Sequence, residues 1–315
     1  MKVIYFGTPR FAAEVLSFLL DHGIDVVAVV TKPDRPQGRS AQLVPTPVKC
    51  VAETHSPPIP VFQPELISSP ENIPLLEKFQ ADLFVVVAYG EIIKQHLLDM
   101  PKIACINLHA SLLPKYRGAA PIQRVIMNGE TETGITIMHM VKKMDAGDII
   151  AVEKVPIGIQ TTYGELEADL CRVGADLLLQ TIHNFERGAT QRVPQDHSLA
   201  TTAPKIESED CLIKWNLPAE SIHNMVRGVN PHPGAWCWVS LKGEKKRLRV
   251  MTTEVVVLAT EASDVKSMVI NPTNGIVIRC GHGALRLVQI QLEGKKSMTS
   301  DEFIRGYTHD SLLFL

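Results

Sequence analysis

The first half of the chain alternates short apolar runs with segments in which apolar residues recur at helical spacing. Four runs have the length and composition of strands buried on both faces: Val3–Phe6, Val26–Val30, Leu83–Ala88 and Ile103–Leu108. Between the first two runs, the apolar residues follow a helical period, and Gly23 lies just past them: Phe11, Ala12, Val15, Leu16, Leu19 and Leu20. This alternation predicts an α/β domain with a Rossmann-like, doubly wound and mostly parallel sheet.

The pattern becomes less regular after the fourth run. Thr133–Met140 alternates like a half-buried strand, and Ile149–Val155 is predicted to pair with it across a turn. A long amphipathic helix is predicted over Tyr163–Arg187. Its start is marked by Thr162 and Glu165, whose spacing is that of a capping box.

A polar segment then divides the chain. Residues 189–205 contain Pro194 and Pro204 and show little periodicity, which is typical of a linker. The sequence therefore predicts a catalytic domain over residues 1–188 and a second domain over residues 206–315.

The second domain is rich in predicted strands. They are separated by turns and interrupted by one helix near Ala219–Arg227, and they are Ala235–Val239, Leu248–Val257, Ser267–Ile270, Ile276–Cys280 and Ala284–Gln291. Five short strands in this length favour a small β-barrel of the oligonucleotide-binding (OB-like) type, and a small sandwich is the alternative.

Composition narrows the class of protein. Of 315 residues, 45% are hydrophobic and 21% are charged, as in ordinary globular proteins. No apolar run approaches the ~20 residues that cross a bilayer. The N-terminal run Val3–Phe6 is too short for a signal peptide. We therefore expect a soluble, cytoplasmic protein.

Cysteine spacing argues against a disulfide-bonded or metal-binding protein, and net charge argues against a non-specific polyanion binder. The six cysteines form no CxxC pair and no metal-ligand spacing, so we expect buried free thiols and no metal. A net charge of −2 argues against indiscriminate binding of polyanions, although a local basic patch could still hold RNA.

The candidate chemistry lies at the end of the fourth apolar run. Asn107 and His109 are two residues apart on a strand, so their side chains project from the same face. They lie at the carboxyl end of a parallel strand, where open α/β sheets bind ligands. Asp145 lies in a glycine-containing turn that could fold back over this end. An amide, an imidazole and a carboxylate suit acyl transfer to an amine.

Spacing alone leaves simpler explanations open. A single histidine at a strand end is often a structural residue, an asparagine there can cap the next segment, and an aspartate before glycine usually forms a turn. For Asp145 the spacing favours the turn-forming explanation, whereas for Asn107 and His109 the two explanations are equally supported.

Several motifs, in order, resemble the folate-dependent formyltransferases. NLHASLLP at residues 107–114 is followed by YRGAAPIQ at 116–123, and TIMHM at 136–140 is followed by MDAGD at 144–148. Shorter matches extend the likeness over nearly the whole chain: FGTP at 6–9, KPDRP at 32–36, IHN at 222–224 and EGKK at 293–296.

The resemblance implies a reaction and a site. The reaction moves the formyl group of 10-formyltetrahydrofolate to the α-amino group of methionine on initiator tRNA, with Asn107, His109 and Asp145 as the catalytic trio. The residues implied for folate binding are Val87, Tyr89, Gly90, Ile92, Ser111, Leu112, Leu113 and Pro114. Glu91 departs from the family pattern, which commonly has an apolar residue there. No phosphate-binding glycine motif indicates a nucleotide cofactor.

The resemblance also implies contacts to tRNA. The loop from Thr31 to Pro47 is long for a strand–helix connection and carries a cationic cluster of Lys32, Arg35 and Arg39. In the family this loop reaches the acceptor end of the tRNA. In the barrel, basic residues gather around one turn and are implied to contact the RNA backbone: Lys245, Lys246 and Arg247.

Three rival functions follow from the same motifs. One is a folate-dependent formyltransferase acting on a small amine or a sugar nucleotide, and another is hydrolysis of the folate donor. The third is a non-catalytic RNA-binding protein, which predicts loss of the trio, whereas the trio is intact. We expect the protein to act as a monomer.

Overall fold

The chain forms two compact units in a computed structural model that describes residues 1–37, 42–257, 268–271, 275–306 and 312–315. The first unit comprises Met1–Gly118, Glu132–Pro156 and Glu167–Ala203. The second comprises Ala119–Thr131, Ile157–Leu166 and Pro204–Leu315. The chain therefore enters the second unit twice before residue 204.

Among the described residues, nine strands lie in the first unit and seven lie in the second. The first nine are β1 (Val3–Gly7), β2 (Val26–Val30), β3 (Arg35–Gln37), β4 (Gln42–Val44), β5 (Val61–Phe62), β6 (Leu83–Val87), β7 (Ala104–His109), β8 (Glu132–His139) and β9 (Ile149–Pro156). The others are β10 (Ala235–Leu241), β11 (Glu244–Val256), β12 (Met268–Asn271), β13 (Gly275–Arg279), β14 (Ala284–Leu292), β15 (Met298–Thr299) and β16 (Leu312–Phe314).

Eight α-helices and three short 3₁₀ helices occur among the described residues. The α-helices are α1 (Arg10–Asp21), α2 (Pro47–Thr54), α3 (Ile73–Glu77), α4 (Gln95–Leu98), α5 (Pro121–Met127), α6 (Tyr163–Glu186), α7 (Ala219–Gly228) and α8 (Ser300–Gly306). The 3₁₀ helices are Pro70–Asn72, His197–Leu199 and Ser208–Cys211.

The large sheet of the first unit has the strand order β5-β2-β1-β6-β7-β8-β9. Its first five strands are parallel, and β8 and β9 pair antiparallel at one edge. Every residue of β1 and β6 is buried, because helices cover both faces of a parallel sheet. The predicted doubly wound, mostly parallel sheet is confirmed.

Two predicted local features are present. Gly23 follows α1 with a φ of 75°, a left-handed conformation that glycine adopts without steric cost. At the start of α6, the backbone N–H of Thr162 donates to the Glu165 carboxylate at 2.8 Å, and the N–H of Glu165 donates to the Thr162 hydroxyl at 3.3 Å. The capping box is therefore formed as the spacing predicts.

The long loop between β2 and α2 is not structureless. Its arms β3 and β4 pair as an antiparallel ladder, with Arg35 opposite Val44 and Pro36 opposite Leu43. Strands this short give little hydrophobic signal, so they were not predicted from the sequence. Residues 38–41, which connect the two strands in the sequence, lie outside the described residues.

The segment predicted as a linker has fixed contacts in the first unit. Val193 and Ile149 exchange backbone hydrogen bonds at 2.8 and 2.9 Å, which extends the antiparallel edge of the sheet. Nearer its end, Thr201 accepts from the N–H of Arg117 at 2.9 Å, and Ala203 donates to the Arg117 carbonyl at 2.7 Å. Residues 189–203 are therefore part of the first unit.

The second unit is built on an antiparallel sheet with the order β12-β13-β14-β11-β10-β16, and β15 pairs with β14. The sheet curls around a core that includes Trp215, whose ring meets Phe314 edge-on at 5.6 Å between centroids. This curled half-barrel confirms the predicted OB-like fold. The first residue of the predicted strand Ser267–Ile270 lies outside the described residues.

Helix α7 holds the second unit's earlier segments. The Arg227 guanidinium donates to the carbonyls of Gly158 and Thr161 at 3.2 and 2.9 Å, and the ring of His223 contacts the carbonyl of Ile159 at 3.1 Å. Both side chains are buried. Residues 157–166 therefore belong to this unit through specific polar contacts.

All six cysteines are free thiols, as expected. Five are buried, whereas Cys50 is exposed, so the expectation that all are buried is wrong at that position. Burial raises the pKa of Cys237 to about 12, which keeps this thiol protonated and unreactive. Separately, no helix within the described residues is long and apolar enough to cross a membrane.

Candidate active site

Strand β7 brings two of the predicted catalytic side chains to one edge of the sheet. Asn107 lies opposite Val86 of the parallel neighbour and Met138 of the antiparallel neighbour, and His109 lies opposite Thr136. The two side chains project from the same face because they are two residues apart. They lie where β7 ends, at the carboxyl edge expected for a ligand site.

The His109 ring is buried and oriented. Its Nε2 atom lies 2.9 Å from the carbonyl oxygen of Tyr116, and since a carbonyl only accepts, Nε2 carries the proton. The other ring nitrogen, Nδ1, lies 3.8 Å from Oδ2 of Asp145. Nδ1 is therefore the nitrogen on which a proton can be exchanged beside the carboxylate.

Asp145 is brought to His109 by the turn between β8 and β9. Its Oδ2 atom accepts from the backbone N–H of Gly118 at 2.8 Å, which holds the carboxylate in place. The residue has a φ of 49°, in the left-handed region that residues other than glycine adopt only at a cost. The turn is thus held in a backbone conformation that needs outside support.

Gly147 is required by the tight approach of this turn to β8. A Cβ atom at Gly147 would lie 1.8 Å from the carbonyl oxygen of His139, which is an impossible contact. The N–H of His139 donates to the carbonyl of Asp148 at 2.9 Å, which joins the end of β8 to this turn. Glycine is therefore the residue that lets the aspartate turn pack against the sheet.

The segment after β7 is fixed by Thr136. The Thr136 hydroxyl donates to the Ser111 carbonyl at 2.6 Å and accepts from the N–H of Leu113 at 3.2 Å. The Ser111 hydroxyl in turn donates to the carbonyl of Lys115 at 2.7 Å. Ser111 and Leu113 are buried, whereas Leu112 and Pro114 are partly exposed. Folate contacts in this segment stay a prediction.

The loop after β6 carries the other predicted folate residues. Val87 and Tyr89 are buried, Gly90 is exposed with a φ of 83°, and Ile92 is 69% exposed. The Tyr89 hydroxyl has no hydrogen-bond partner among the described residues. Burial, and then the nearby Glu91 carboxylate, raises the pKa of this hydroxyl well above its ordinary value. The loop therefore combines an exposed glycine with a buried hydroxyl that has no partner within the described part of the chain.

Glu91 has a defined role in the structure. One carboxylate oxygen pairs with the Lys32 ammonium, and the other accepts from the N–H of Ile67 at 3.0 Å. The Lys32 ammonium also lies 5.3 Å from the centroid of the Tyr89 ring. Lys32 is therefore a paired cation, whereas Arg35 on β3 is exposed. Arg39 lies outside the described residues.

The basic turn of the second unit is interleaved with tryptophans. The Lys245 ammonium lies 4.5 Å from the centroid of the Trp238 ring, and the Arg247 guanidinium lies 4.3 Å from that of Trp236. Lys246 pairs with Glu244 at 2.9 Å. These cations were predicted from the sequence and the tryptophans were not, although Trp236 and Trp238 alternate on one strand. That alternation is the signal that could have identified them.

Two residues that build the site were also missed from the sequence. Thr136 has the signal of a polar residue in a buried strand, which must find hydrogen-bond partners. Gln195 lies in the predicted linker, and its amide contacts the carbonyls of Asp145 and Gly147. No group of three or more His, Cys, Asp or Glu side chains that could hold a metal occurs within the described parts of the chain.

The fold and the site have the features of an enzyme that transfers an acyl group, and the family comparison agrees. The family model described as formyl transferase matches residues 1–182, and the one described as formyl transferase, C-terminal domain, matches residues 205–308. The chain therefore belongs to the formyl transferase family.

The similar curated proteins are more specific. The methionyl-tRNA formyltransferase of Protochlamydia amoebophila is 58% identical over 100% of this chain and 98% of its own length. That of Chlamydia pneumoniae is 46% identical over 98% of this chain and 95% of its own length. The resemblance found in the motifs is confirmed, and it extends over both units.

Solved structures share the fold at low sequence identity. WlaRD, a sugar 3N-formyl transferase solved with dTDP and 5-N-formyl-THF, is 18% identical with a TM-score of 0.65, over 94% of this chain and 99% of its own. HypX from Aquifex aeolicus in complex with tetrahydrofolic acid is 17% identical with a TM-score of 0.60, over 96% of this chain and 47% of its own.

Proposed function

We propose that this protein transfers the formyl group of 10-formyltetrahydrofolate to the α-amino group of methionine on initiator tRNA. It would act as a monomer in the cytoplasm, where charged tRNA is used for translation initiation. One observation carries the proposal. His109 and Asp145 come together at the end of β7 in a chain that is 58% identical, over its full length, to a methionyl-tRNA formyltransferase.

The reaction makes two demands on the site. The amine must lose a proton before it attacks the formyl carbon, and the tetrahedral intermediate must be stabilised. The new bond joins the amine nitrogen to the formyl carbon, and the bond from that carbon to N10 of the folate breaks. N10 takes up a proton as it leaves, so one proton is released to solvent for each ammonium group that is formylated.

Each member of the trio suits one of these demands. The side-chain amide of Asn107 donates to the developing oxyanion, which is worth about 2.7–4 kcal/mol per donor in comparable sites. His109 exchanges the proton at Nδ1, since Nε2 is held by the carbonyl of Tyr116. Asp145 stabilises the positive charge on the imidazole as the proton arrives. The amine proton is assigned to His109 and Asp145 as a coupled pair, and not to either residue alone.

The formyl donor is proposed to bind along the loop after β6 and the segment after β7. The residues are Val87, Tyr89, Gly90, Ile92, Ser111, Leu112, Leu113 and Pro114. Two features support this placement. Gly90 exposes main-chain groups that can pair with a pterin ring, and the unpartnered Tyr89 hydroxyl offers one more polar contact.

The tRNA is proposed to contact both units. In the first, Arg35 and Arg39 of the loop between β2 and α2 supply the cations, whereas the charge of Lys32 is paired with Glu91. In the second, residues 206–315 are proposed to position the tRNA through Lys245, Lys246 and Arg247. The support is the alternation of cations with tryptophan rings on β10 and β11, since such surfaces bind RNA backbone and unpaired bases.

One experiment tests the proposed function. The protein is mixed with 10-formyltetrahydrofolate and, separately, methionyl-tRNA, free methionine or a dTDP-linked amino sugar, and the formylated product is measured. Formylation of the charged tRNA alone is expected. Formylation of the sugar nucleotide in its place, or release of formate with no acceptor, would replace the proposal with one of its rivals. Sedimentation at micromolar concentration tests the monomer.

A further inference from the structure

A buried glutamine donates hydrogen bonds to the main chain of the turn between β8 and β9 that carries Asp145, here called the aspartate turn. Gln195 is 7% exposed, and its segment is anchored two residues earlier by the backbone pairing of Val193 with Ile149. Its side-chain Nε2 donates to the carbonyl of Gly147 at 2.7 Å and to that of Asp145 at 3.0 Å. Both N–H bonds of the amide are therefore spent on the turn that carries the Asp145 carboxylate.

The orientation of this amide is set by its partners. Its Oε1 atom accepts from the guanidinium of Arg117 at 2.6 Å. A guanidinium only donates and a carbonyl only accepts, so the oxygen of the amide must face Arg117 and the nitrogen must face the turn. The amide group is thus satisfied at both ends, and a rotated amide would place like groups together.

Arg117 connects the same glutamine to the other side of the site. Its guanidinium is buried and also contacts Nδ1 of His197 at 2.9 Å. Arg117 stands between Tyr116, whose carbonyl holds the His109 ring, and Gly118, whose N–H holds the Asp145 carboxylate. Residues 116–118, which orient both His109 and Asp145, are therefore joined to the aspartate turn through one buried contact between the amide and the guanidinium.

The aspartate turn needs such support. Asp145 has a φ of 49°, in the left-handed region that is unfavourable for a residue other than glycine. Without the glutamine, the carbonyls of Asp145 and Gly147 would lose a donor, and Asp145 could relax towards an ordinary conformation. A displacement of about 1 Å at a reacting group can lower the rate by about 10²-fold.

We propose that Gln195 is a positioning residue for the formyl transfer, which holds the Asp145 carboxylate against His109 and is itself oriented by Arg117. The inference rests on the proposed catalytic role of Asp145. Residues 189–203 would then contribute to catalysis through Gln195. Loss of this glutamine would affect turnover and not the binding of the folate donor.

Two substitutions separate positioning from folding. Gln195→Glu keeps the shape and the Arg117 contact but cannot donate to the two carbonyls once ionised, and Gln195→Leu removes every hydrogen bond. For both, kcat is expected to fall about 10- to 100-fold, with KM for 10-formyltetrahydrofolate within about twofold of the wild type. Gln291→Leu is the matched control, since that amide donates to a main-chain carbonyl, of Lys295, in the second unit.

A double-mutant cycle with Asp145→Asn gives the decisive readout. If Gln195 acts through the Asp145 carboxylate, then Gln195→Leu lowers kcat in the wild type but changes it less than about threefold in the Asp145→Asn background. A purely structural role predicts the same loss in both backgrounds, and that result would overturn the proposal. An unchanged kcat for both Gln195 variants would overturn it as well.

The same cycle separates the failure of this inference from that of the proposed function. Normal turnover of Asp145→Asn alone removes Asp145 from the trio and counts against the catalytic assignment itself. Binding of the folate donor by Gln195→Leu, measured by calorimetry, checks that the first unit is folded. If that variant does not bind, the cycle is carried out with Gln195→Glu, whose retained Arg117 contact preserves the packing.

Discussion

The Nδ1 atom of His109 lies 3.8 Å from the Oδ2 atom of Asp145, with each group held by a separate main-chain contact. The Tyr116 carbonyl orients the imidazole, and the N–H of Gly118 orients the carboxylate. The separation exceeds that of a hydrogen bond. The two side chains therefore face each other without a hydrogen bond between them, and the distance can shorten when the substrates bind.

Asp145→Asn is expected to remove the negative charge of the side chain while keeping its shape. The asparagine oxygen can still accept from the N–H of Gly118, so the turn and folate binding should be kept. The imidazolium loses its counter-charge, and kcat is expected to fall about 10²- to 10⁴-fold. Single-turnover formylation and calorimetric titration with the folate donor measure the two effects. Near-normal turnover would exclude Asp145 from the chemistry.

Asn107→Ala is expected to remove the oxyanion donor. We expect kcat to fall about 10²- to 10³-fold with little change in either KM, because the lost hydrogen bond forms chiefly in the transition state. Asn107→Asp should show a comparable loss, since a carboxylate has the same shape and cannot donate when ionised. A variant that loses affinity and keeps kcat would point to substrate binding as the role of Asn107.

Arg39→Ala is expected to act on the tRNA. The KM for methionyl-tRNA should rise, and the slope of log binding constant against log salt concentration should fall by about one for each lost phosphate contact. Binding of the folate donor should stay unchanged. Arg247→Gln should lower the same slope if the second unit contacts the RNA backbone. Equal losses in folate and tRNA binding would refute the role assigned to Arg39.

Lys32 is expected to differ from the arginines because its charge is paired with Glu91. Lys32→Gln leaves a carboxylate that is 11% exposed without its cation, so stability should fall by about 1–2 kcal/mol. The double variant with Glu91→Gln should recover much of that loss. The salt slope of tRNA binding should not change. The matched control is the exposed pair of Lys154 and Glu132, where the same substitutions should have little effect.

Stability is expected to fall in acid through His139. Burial, and then the positive charge of Arg192, lowers the pKa of this histidine to about 4, against a small opposing effect of Asp148. Between the ordinary pKa of about 6.5 and pH 4, the unfolded chain binds a proton that the folded chain does not. The contribution of His139 is therefore complete above pH 6.5 and is lost as the pH falls towards 4.

The size of this loss is about 1–3 kcal/mol. Urea denaturation at pH 7 and pH 4 of the wild type and of His139→Gln measures it, since the variant keeps a polar side chain that does not titrate. The difference between the two unfolding free energies should change by that amount across the range. Parallel pH curves for the two proteins would show that His139 does not titrate as proposed.

Much of the fold is predictable from local pattern. The buried runs at β1, β2, β6 and β7 and the capping box of α6 were all found, because each is a property of neighbouring residues. Elements with little apolar signal were not found. Strands β3 and β4 are three residues each, and α8 is a helix of seven residues.

The residues of the site show the same difference between what local pattern predicts and what it does not. Asn107 and His109 are paired by strand geometry alone, so the sequence predicts that they act together. Asp145 entered through the resemblance, and the structure shows it beside His109. Gln195 was read as part of a linker, because a single amide in a polar segment has no periodicity that reports its burial.

What the sequence by itself determined is the class of fold, the family and the chemical groups available for formyl transfer. Apolar periodicity specifies which faces are buried, and the motifs specify which side chains lie at the ends of strands. Only the tertiary structure decided that Lys32 is neutralised by Glu91 and that Gln195 holds the Asp145 turn. Those contacts join residues about 50 or more positions apart, and their energy depends on distance and burial in three dimensions, which no local pattern encodes.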